Sequence, residues 1–127
     1  MNMATFDADK ALDQIEGDKE GLSILFATFK QVSVNQIEEI REAIQQRDAD
    51  KLASVAHCFK SSLGVFAAEP AAEIVRKIEV HARDADFDGA QKALVKLAAE
   101  CSRLENDLGE FLQSDQGAFQ NHSKREA

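Results

Sequence analysis

The sequence Ala-His-Cys-Phe-Lys-Ser-Ser-Leu-Gly combines a histidine and a lysine with several small side chains. Lys60 and Ser61 follow His57 by three and four residues, a spacing that puts side chains on one face of an α-helix. Gly64 extends this face toward the C-terminus, and Ser54 extends it toward the N-terminus. An imidazole can act as a nucleophile near neutral pH, and a neighbouring ammonium favours negative charge. Because the other side chains are small, we predict that Ser54, Ser61 and Gly64 let a partner protein approach the imidazole closely.

The apolar residues around this motif predict that His57 points into solvent. They recur at steps of three and four residues, as on the apolar stripe of an amphipathic helix: Leu52, Val55, Ala56, Phe59, Leu63 and Phe66. At about 100° per residue, His57 lies roughly 140° from the centre of this stripe. By itself, an exposed histidine beside a lysine is also typical of an ordinary solvated surface pair.

Five segments with a helical period surround and include the motif. We predict helices over residues 8–16, 19–47, 50–67, 70–83 and 87–113. Asp7, Asp18 and Asp86 stand where N-cap residues are expected. Pro70 falls at the first position of the fourth helix, where its missing N–H costs nothing. Four long amphipathic segments joined by short turns predict an all-α fold, an antiparallel up-and-down four-helix bundle with an additional short N-terminal helix.

The same periodicity divides the chain into two parts. Residues 1–112 are predicted to form one helical bundle. Residues 113–127 have no hydrophobic period and a single aromatic residue, so we expect a disordered C-terminal tail. Within the second helix, a kink at Val32-Ser33-Val34-Asn35 is an open alternative, because β-branched and asparagine residues are poorer helix formers.

The charge distribution restricts the class of partner. A formal net charge of −8 argues against DNA or RNA as the main ligand. The segment from Lys51 to Arg83 differs from the rest, because its five basic and three acidic residues give it a net charge of +2. Such a basic zone suits an acidic or phosphorylated partner surface, and a chance distribution of charge is an equal alternative.

Several other site types are not expected from the sequence. No apolar run is long enough to cross a membrane, and the N-terminus lacks the pattern of a secretory signal, so we expect a cytoplasmic protein. Cys58 and Cys101 have no paired spacing, and the histidines add no recognisable ligand pattern, so no metal site is predicted. His81 and His122 are interpreted as surface residues.

The motif around His57 resembles the active-site helix of histidine-containing phosphotransfer (HPt) domains. The pattern of that family is Ala-His, any residue, an apolar residue, Lys, Gly and then small residues. The resemblance covers about residues 6–112, including the phenylalanines Phe26 and Phe29 of the second helix. Two positions depart from the family pattern: Ser61 stands where glycine is usual, and Ala67 stands where a second glycine is common.

The resemblance implies roles for three residues. His57 would be the phosphoacceptor, and Lys60 would stabilise the phosphoryl oxygens. Glu79, which follows His57 by twenty-two residues, matches the acidic or amide residue that orients the imidazole. In antiparallel helices joined by a short turn, His57 and Glu79 would stand at nearly the same height above that turn. The alternative interpretation of Glu79 is an ordinary exposed helix residue.

These roles imply a phosphorelay intermediate. His57 would accept a phosphoryl group from a receiver-domain aspartate, or from a histidine kinase relay, and pass it to another response-regulator receiver. The sequence contains no glycine-rich phosphate loop and no kinase signature, so we predict a carrier rather than an enzyme, with no cofactor of its own. Mg²⁺ would come from the partner receiver domain.

The expected partners are response-regulator receiver domains and a hybrid histidine kinase, with no nucleic acid and no membrane, and the chain is expected to be a monomer. The alternative function is a non-phosphorylated helical module that binds a partner through the His57 face. A plain docking face has no need for Lys60 among small neighbours, and this feature favours phosphotransfer.

Overall fold

The computed structural model describes residues 5–14 and 18–126, with residues 114–126 as backbone only. Within these ranges the chain forms five α-helices and no strand: α1 (Ala8–Gln14), α2 (Lys19–Gln46), α3 (Ala49–Val65), α4 (Glu69–Arg83) and α5 (Phe87–Glu126). Each helix from α3 onward packs against the one before it, and α5 also packs against α2. The short turns make successive helices antiparallel, so the predicted all-α bundle with a short N-terminal helix is confirmed. No described helix has the length and apolar character needed to cross a bilayer.

Aspartate side chains cap the N-termini of four of the five described helices. The carboxylate of Asp18 accepts a hydrogen bond from the backbone N–H of Gly21 at 3.0 Å, and Asp7, Asp48 and Asp86 act in the same way on the residue three positions later. Each cap satisfies a backbone donor that has no partner inside its own helix. Helix α4 differs, because it begins at Glu69 and its N-cap Ala68 makes no side-chain bond. Pro70 therefore stands at the second rather than the first helical position.

Three helix ends share one backbone conformation. Arg47, Ala67 and Ala85 have φ angles of 55°, 51° and 53°, in the left-handed region that favours glycine. At the end of α3, the N–H of Ala68 donates to the carbonyl of Leu63 at 3.1 Å, which closes the helix. Glycine is common at position 67 in the family that the sequence resembles, and the positive φ of Ala67 gives a physical reason for that preference. Alanine there accepts a strained conformation.

Packing in the core fixes the rotation of α3. Phe59 and Phe66 are buried and both contact the ring of Phe29 on α2, with ring centroids 6.3 and 5.1 Å apart respectively. Ala56 and Leu63 are also fully buried on the same side of α3. Because the apolar stripe faces inward, the opposite face of α3 must face solvent.

Helix α2 is continuous across the stretch where a kink was the open alternative. Ser33 is buried there, and its hydroxyl lies 3.2 Å from the backbone carbonyl of Lys30 and 3.0 Å from the carboxylate of Glu105 on α5, either of which can accept its one proton. The hydroxyl is therefore satisfied inside the bundle, which offsets its weak helix propensity.

One helix end differs from the predicted boundaries. Helix α1 is described over Ala8–Gln14, and its predicted end at residue 16 lies outside the described residues. Helix α5 continues to Glu126, well past the predicted end near residue 113. The expected disordered tail therefore has helical backbone over most of its length, while the division into a bundle of residues 1–112 and a separate tail stays a prediction.

Candidate functional site

Glu79 lies on α4 between two side chains of α3. Its Oε1 accepts a hydrogen bond from the ammonium of Lys60 at 2.8 Å, and its Oε2 lies 3.3 Å from Nδ1 of His57. The side chain of Glu79 is only 14% exposed. This burial raises the pKa of its carboxyl group, but the bonds with Lys60 and His57 outweigh it and hold the pKa below its usual value. Glu79 is therefore ionised at neutral pH.

The ionised carboxylate determines which nitrogen of His57 is available. A carboxylate can only accept hydrogen bonds, so the proton of the neutral imidazole must lie on Nδ1. The lone pair is then on Nε2. The side chain of His57 is 69% exposed, so the outer part of the ring is open to a reactant from solvent. The pair thus presents an imidazole with one nitrogen held and the other available as a nucleophile.

Two helices and one short turn produce this arrangement. Residues 66–68 connect α3 to α4, and these two helices share the most extensive interface in the bundle. Ile78 of α4 is fully buried, so the next residue, Glu79, lies at the edge of the interface beside α3. The predicted site residues His57, Lys60 and Glu79 are brought together by the structure, although their chemical roles stay predictions.

The predicted partner-binding residues share the exposed surface around His57. Ser54, Ser61 and Gly64 are all exposed, and the hydroxyl of Ser61 donates to the backbone carbonyl of His57 at 3.4 Å. A Cβ atom added at Gly64 would meet no other atom within 4 Å. The space around Gly64 therefore does not require glycine, and the position carries no side chain one turn beyond Lys60.

Three cations of the basic zone between Lys51 and Arg83 are paired with carboxylates. Lys51 lies 3.5 Å from Glu42, and Lys60 is bonded to Glu79 as described above. Arg76 bonds to two acidic residues of its own helix, at 2.8 and 2.9 Å. The net charge of +2 already includes the carboxylates that pair with Lys60 and Arg76, so these pairs leave the positive excess of the zone in place, and Glu42 is the partner they add from outside it.

A second histidine–carboxylate pair was missed by the sequence analysis. His81 was interpreted as a surface residue, but its Nδ1 lies 3.1 Å from Oδ2 of Asp86, and its side chain is only 30% exposed. The N–H of Gly89 and the imidazole of His81 hold the pKa of Asp86 below its usual value. The feature of the sequence that could have indicated this pair is the short spacing between His81 and Asp86, the predicted N-cap of the next helix. His122 has no described side chain.

The two cysteines differ in environment. Cys58 is exposed beside His57 in sequence, whereas Cys101 is buried in the core, and this burial raises the pKa of its thiol to about 12. Cys101 is therefore an unreactive core residue at neutral pH. Among the residues that the structure describes, no group of three or more His, Cys, Asp and Glu side chains could hold a metal ion.

One of three comparisons with known proteins identifies a family for this chain. The sequence matches the family model described as Hpt domain over residues 24–109, a range that contains His57, Lys60 and Glu79. No match was found among curated proteins or solved structures. Because the matched range covers well over half of the 127 residues, the chain belongs to the Hpt domain family.

Proposed function

We propose that this protein is a phosphorelay intermediate that carries a phosphoryl group on Nε2 of His57. Membership of the Hpt family implies histidine phosphotransfer in general. The single observation that supports His57 as the acceptor is its Nδ1, which lies 3.3 Å from the ionised Glu79 while the rest of the ring is exposed. Phosphoryl transfer needs an unprotonated nitrogen as its nucleophile, and this geometry supplies one.

The donor and acceptor are receiver domains in this proposal. The aspartyl phosphate of one receiver would lose its phosphoryl group to His57, and an aspartate of a second receiver would take it on. Lys60 would turn toward the phosphoryl oxygens, whose negative charge an ammonium stabilises. Mg²⁺ would be supplied by the receiver, and a hybrid histidine kinase would feed the relay. The carrier would act as a monomer in the cytoplasm and would have no ATP site.

The exposed surface formed by Ser54, Ser61 and Gly64 would receive the partner. Its small side chains allow the partner backbone to come close to the imidazole, which phosphoryl transfer requires because the reacting atoms must meet in line. Because the segment from Lys51 to Arg83 keeps a positive net charge with its internal pairs included, we expect an acidic receiver surface to be attracted to it, and we expect the fit of shape to add to this attraction.

The test is incubation of the purified protein with a panel of receiver domains carrying labelled aspartyl phosphate. At least one receiver should transfer its label to this protein, and the label should be lost in acid and kept in alkali, as a phosphohistidine requires. If no receiver transfers label while several bind, the alternative of a non-phosphorylated binding module is supported instead.

A further inference from the structure

The carboxylate of Glu79 contacts two side chains of α3 in the unphosphorylated protein. One of its oxygens is bonded to the ammonium of Lys60 at 2.8 Å, and the other lies 3.3 Å from Nδ1 of His57. The side chain is 14% exposed, whereas the imidazole is 69% exposed. Because the carboxylate is largely buried, its charge stays beside Nδ1 when the outer nitrogen reacts and Lys60 turns toward the phosphoryl oxygens.

The charge at this position affects the phosphorylated state. When the phosphoryl group leaves Nε2, the P–N bond breaks and its electron pair returns to Nε2, while an oxygen of the receiver aspartate, or of water, forms the new bond to phosphorus. With a proton on Nδ1, the ring leaves as neutral imidazole. Without that proton it must leave as imidazolate, a much poorer leaving group. A carboxylate beside Nδ1 favours the protonated and therefore positively charged ring of the phosphohistidine.

We propose that Glu79 sets the lability of the phosphohistidine by keeping the proton on Nδ1 while the phosphoryl group is on Nε2. This inference rests on the proposed function, which places the phosphoryl group on His57. It adds a role that follows phosphorylation, whereas an orienting role precedes it. Glu79 makes no bond to phosphorus, so it is a positioning residue for the proton rather than a catalytic one.

The other charged groups near the His57 ring do not favour a proton on Nδ1. Lys60, one turn from His57 on α3, is bonded to Glu79 in the unphosphorylated protein, and the phosphoryl oxygens would offset its charge once it turns toward them. On α4, Arg76 and Arg83 lie about one turn on either side of Glu79. Arg76 is occupied by carboxylates of its own helix, at 2.8 and 2.9 Å. Among the described residues, Glu79 is the carboxylate at hydrogen-bonding distance from this imidazole.

The test uses Glu79→Gln, because glutamine retains an oxygen that can accept from Nδ1–H but carries no charge. Glu73→Gln is the matched control, since Glu73 is a carboxylate on the same helix that bonds to Arg76 at 2.9 Å. Each protein is phosphorylated with phosphoramidate, which transfers its phosphoryl group to imidazole and releases ammonia. Loss of the group is then followed by ³¹P NMR between about pH 5 and 9, the range in which imidazoles change charge.

We expect the phosphohistidine of Glu79→Gln to live roughly three to ten times longer than that of the wild type at neutral pH. Its hydrolysis should reach half of the maximal rate at a lower pH. Glu73→Gln should match the wild type in both respects. Equal half-lives and equal pH profiles in Glu79→Gln and the wild type would overturn the proposal, and so would a shorter half-life in the variant.

Two further variants test whether a change in the half-life of the phosphohistidine comes from unfolding or from phosphorylation at another residue. If Glu79→Gln is unfolded by circular dichroism, the same substitution is compared in a Lys60→Met background, where no ammonium is left unpaired, and the same lengthening is expected. His57→Gln confirms the site of the phosphoryl group. Because phosphoramidate needs no protein donor, a failure of all receivers to transfer label would reject the proposed function while the role of Glu79 remained measurable.

Discussion

The protein contains two histidine–carboxylate pairs with nearly the same local geometry. His57 lies 3.3 Å from Glu79, and His81 lies 3.1 Å from Asp86, with Nδ1 as the contacting atom in both. Their surroundings differ. The first pair joins the middle parts of two helices, and its imidazole is exposed among small side chains. The second pair stands in the turn between α4 and α5, where its imidazole packs against the first turn of the next helix.

Gly89 shows how closely the second imidazole is packed. A Cβ atom added there would lie 2.5 Å from Cε1 of His81 and 2.5 Å from Oδ2 of Asp86, closer than real atoms approach. Asp86 also caps α5 by accepting from the N–H of Gly89 at 2.9 Å. The carboxylate of Asp86 thus caps a helix, and the imidazole of His81 packs against Gly89 at the start of that helix. A carboxylate partner alone does not make a histidine suited to phosphotransfer; an open second nitrogen, a nearby ammonium and room for a partner are also needed.

The largest difference between the pairs should appear in phosphorylation by a receiver. His57→Gln should reduce the label by at least about a hundredfold, to background, because the nucleophile itself is removed. His81→Gln should retain the label within about twofold of wild type, because that imidazole lies away from the exposed face. Labelling in parallel, with folding checked by circular dichroism, measures both. Label that persists in His57→Gln would place the acceptor elsewhere.

The surface around His57 should be sensitive to bulk. Ser61→Arg should weaken receiver binding by about tenfold or more, because a long side chain would occupy the space that the partner backbone needs. Ser102→Arg is the matched control, since Ser102 is exposed on α5 and outside the predicted docking residues. Isothermal titration calorimetry measures both affinities. Unchanged binding by Ser61→Arg would move the interface away from this surface.

Alanine at two glycine positions should separate the open surface from the packed turn. Gly64→Ala should stabilise the fold by about 0.5 kcal/mol, because alanine is the better helix former and the added Cβ has free space. Gly89→Ala should lack this gain, because its Cβ displaces the His81 ring and the cap of Asp86. Urea unfolding measures the stabilities, and the NMR signals of His81 should shift in Gly89→Ala alone. If Gly89→Ala were stabilised as much as Gly64→Ala, the His81–Asp86 pair would not constrain the turn between α4 and α5.

The smallest expected effect is a pH dependence of stability from Glu79. Its pKa in the folded protein lies below the usual 4.5, so the folded state favours the ionised carboxylate. The contribution is therefore fully present above pH 4.5 and is lost as the pH falls through the folded pKa. Glu79→Gln should cost about 1 kcal/mol near neutral pH and progressively less at acidic pH. Urea unfolding of the wild type and Glu79→Gln between neutral and acidic pH measures this difference in the free energy of unfolding. A difference that does not change with pH would contradict the lowered pKa of Glu79.

The amino-acid sequence by itself determined the helices, most of their starts and the outward direction of His57. These features depend on neighbouring residues along the chain. An aspartate caps the helix that follows it, as Asp18 and Asp48 do, and a stripe of apolar residues must turn inward whatever it packs against. The placement of Lys60 one turn from His57 follows from the period of the helix alone.

Only the tertiary structure decided how side chains of different helices meet. Helical period gives no distance across an interface, so the sequence could not establish that one carboxylate of Glu79 serves both His57 and Lys60. The same limit concealed the packing of His81 against Gly89, which depends on the angle at which α5 leaves the turn. The tertiary structure also decided which cations of the basic zone have carboxylate partners, such as Lys51 beside Glu42 of α2, because the net charge of a segment does not record these pairs.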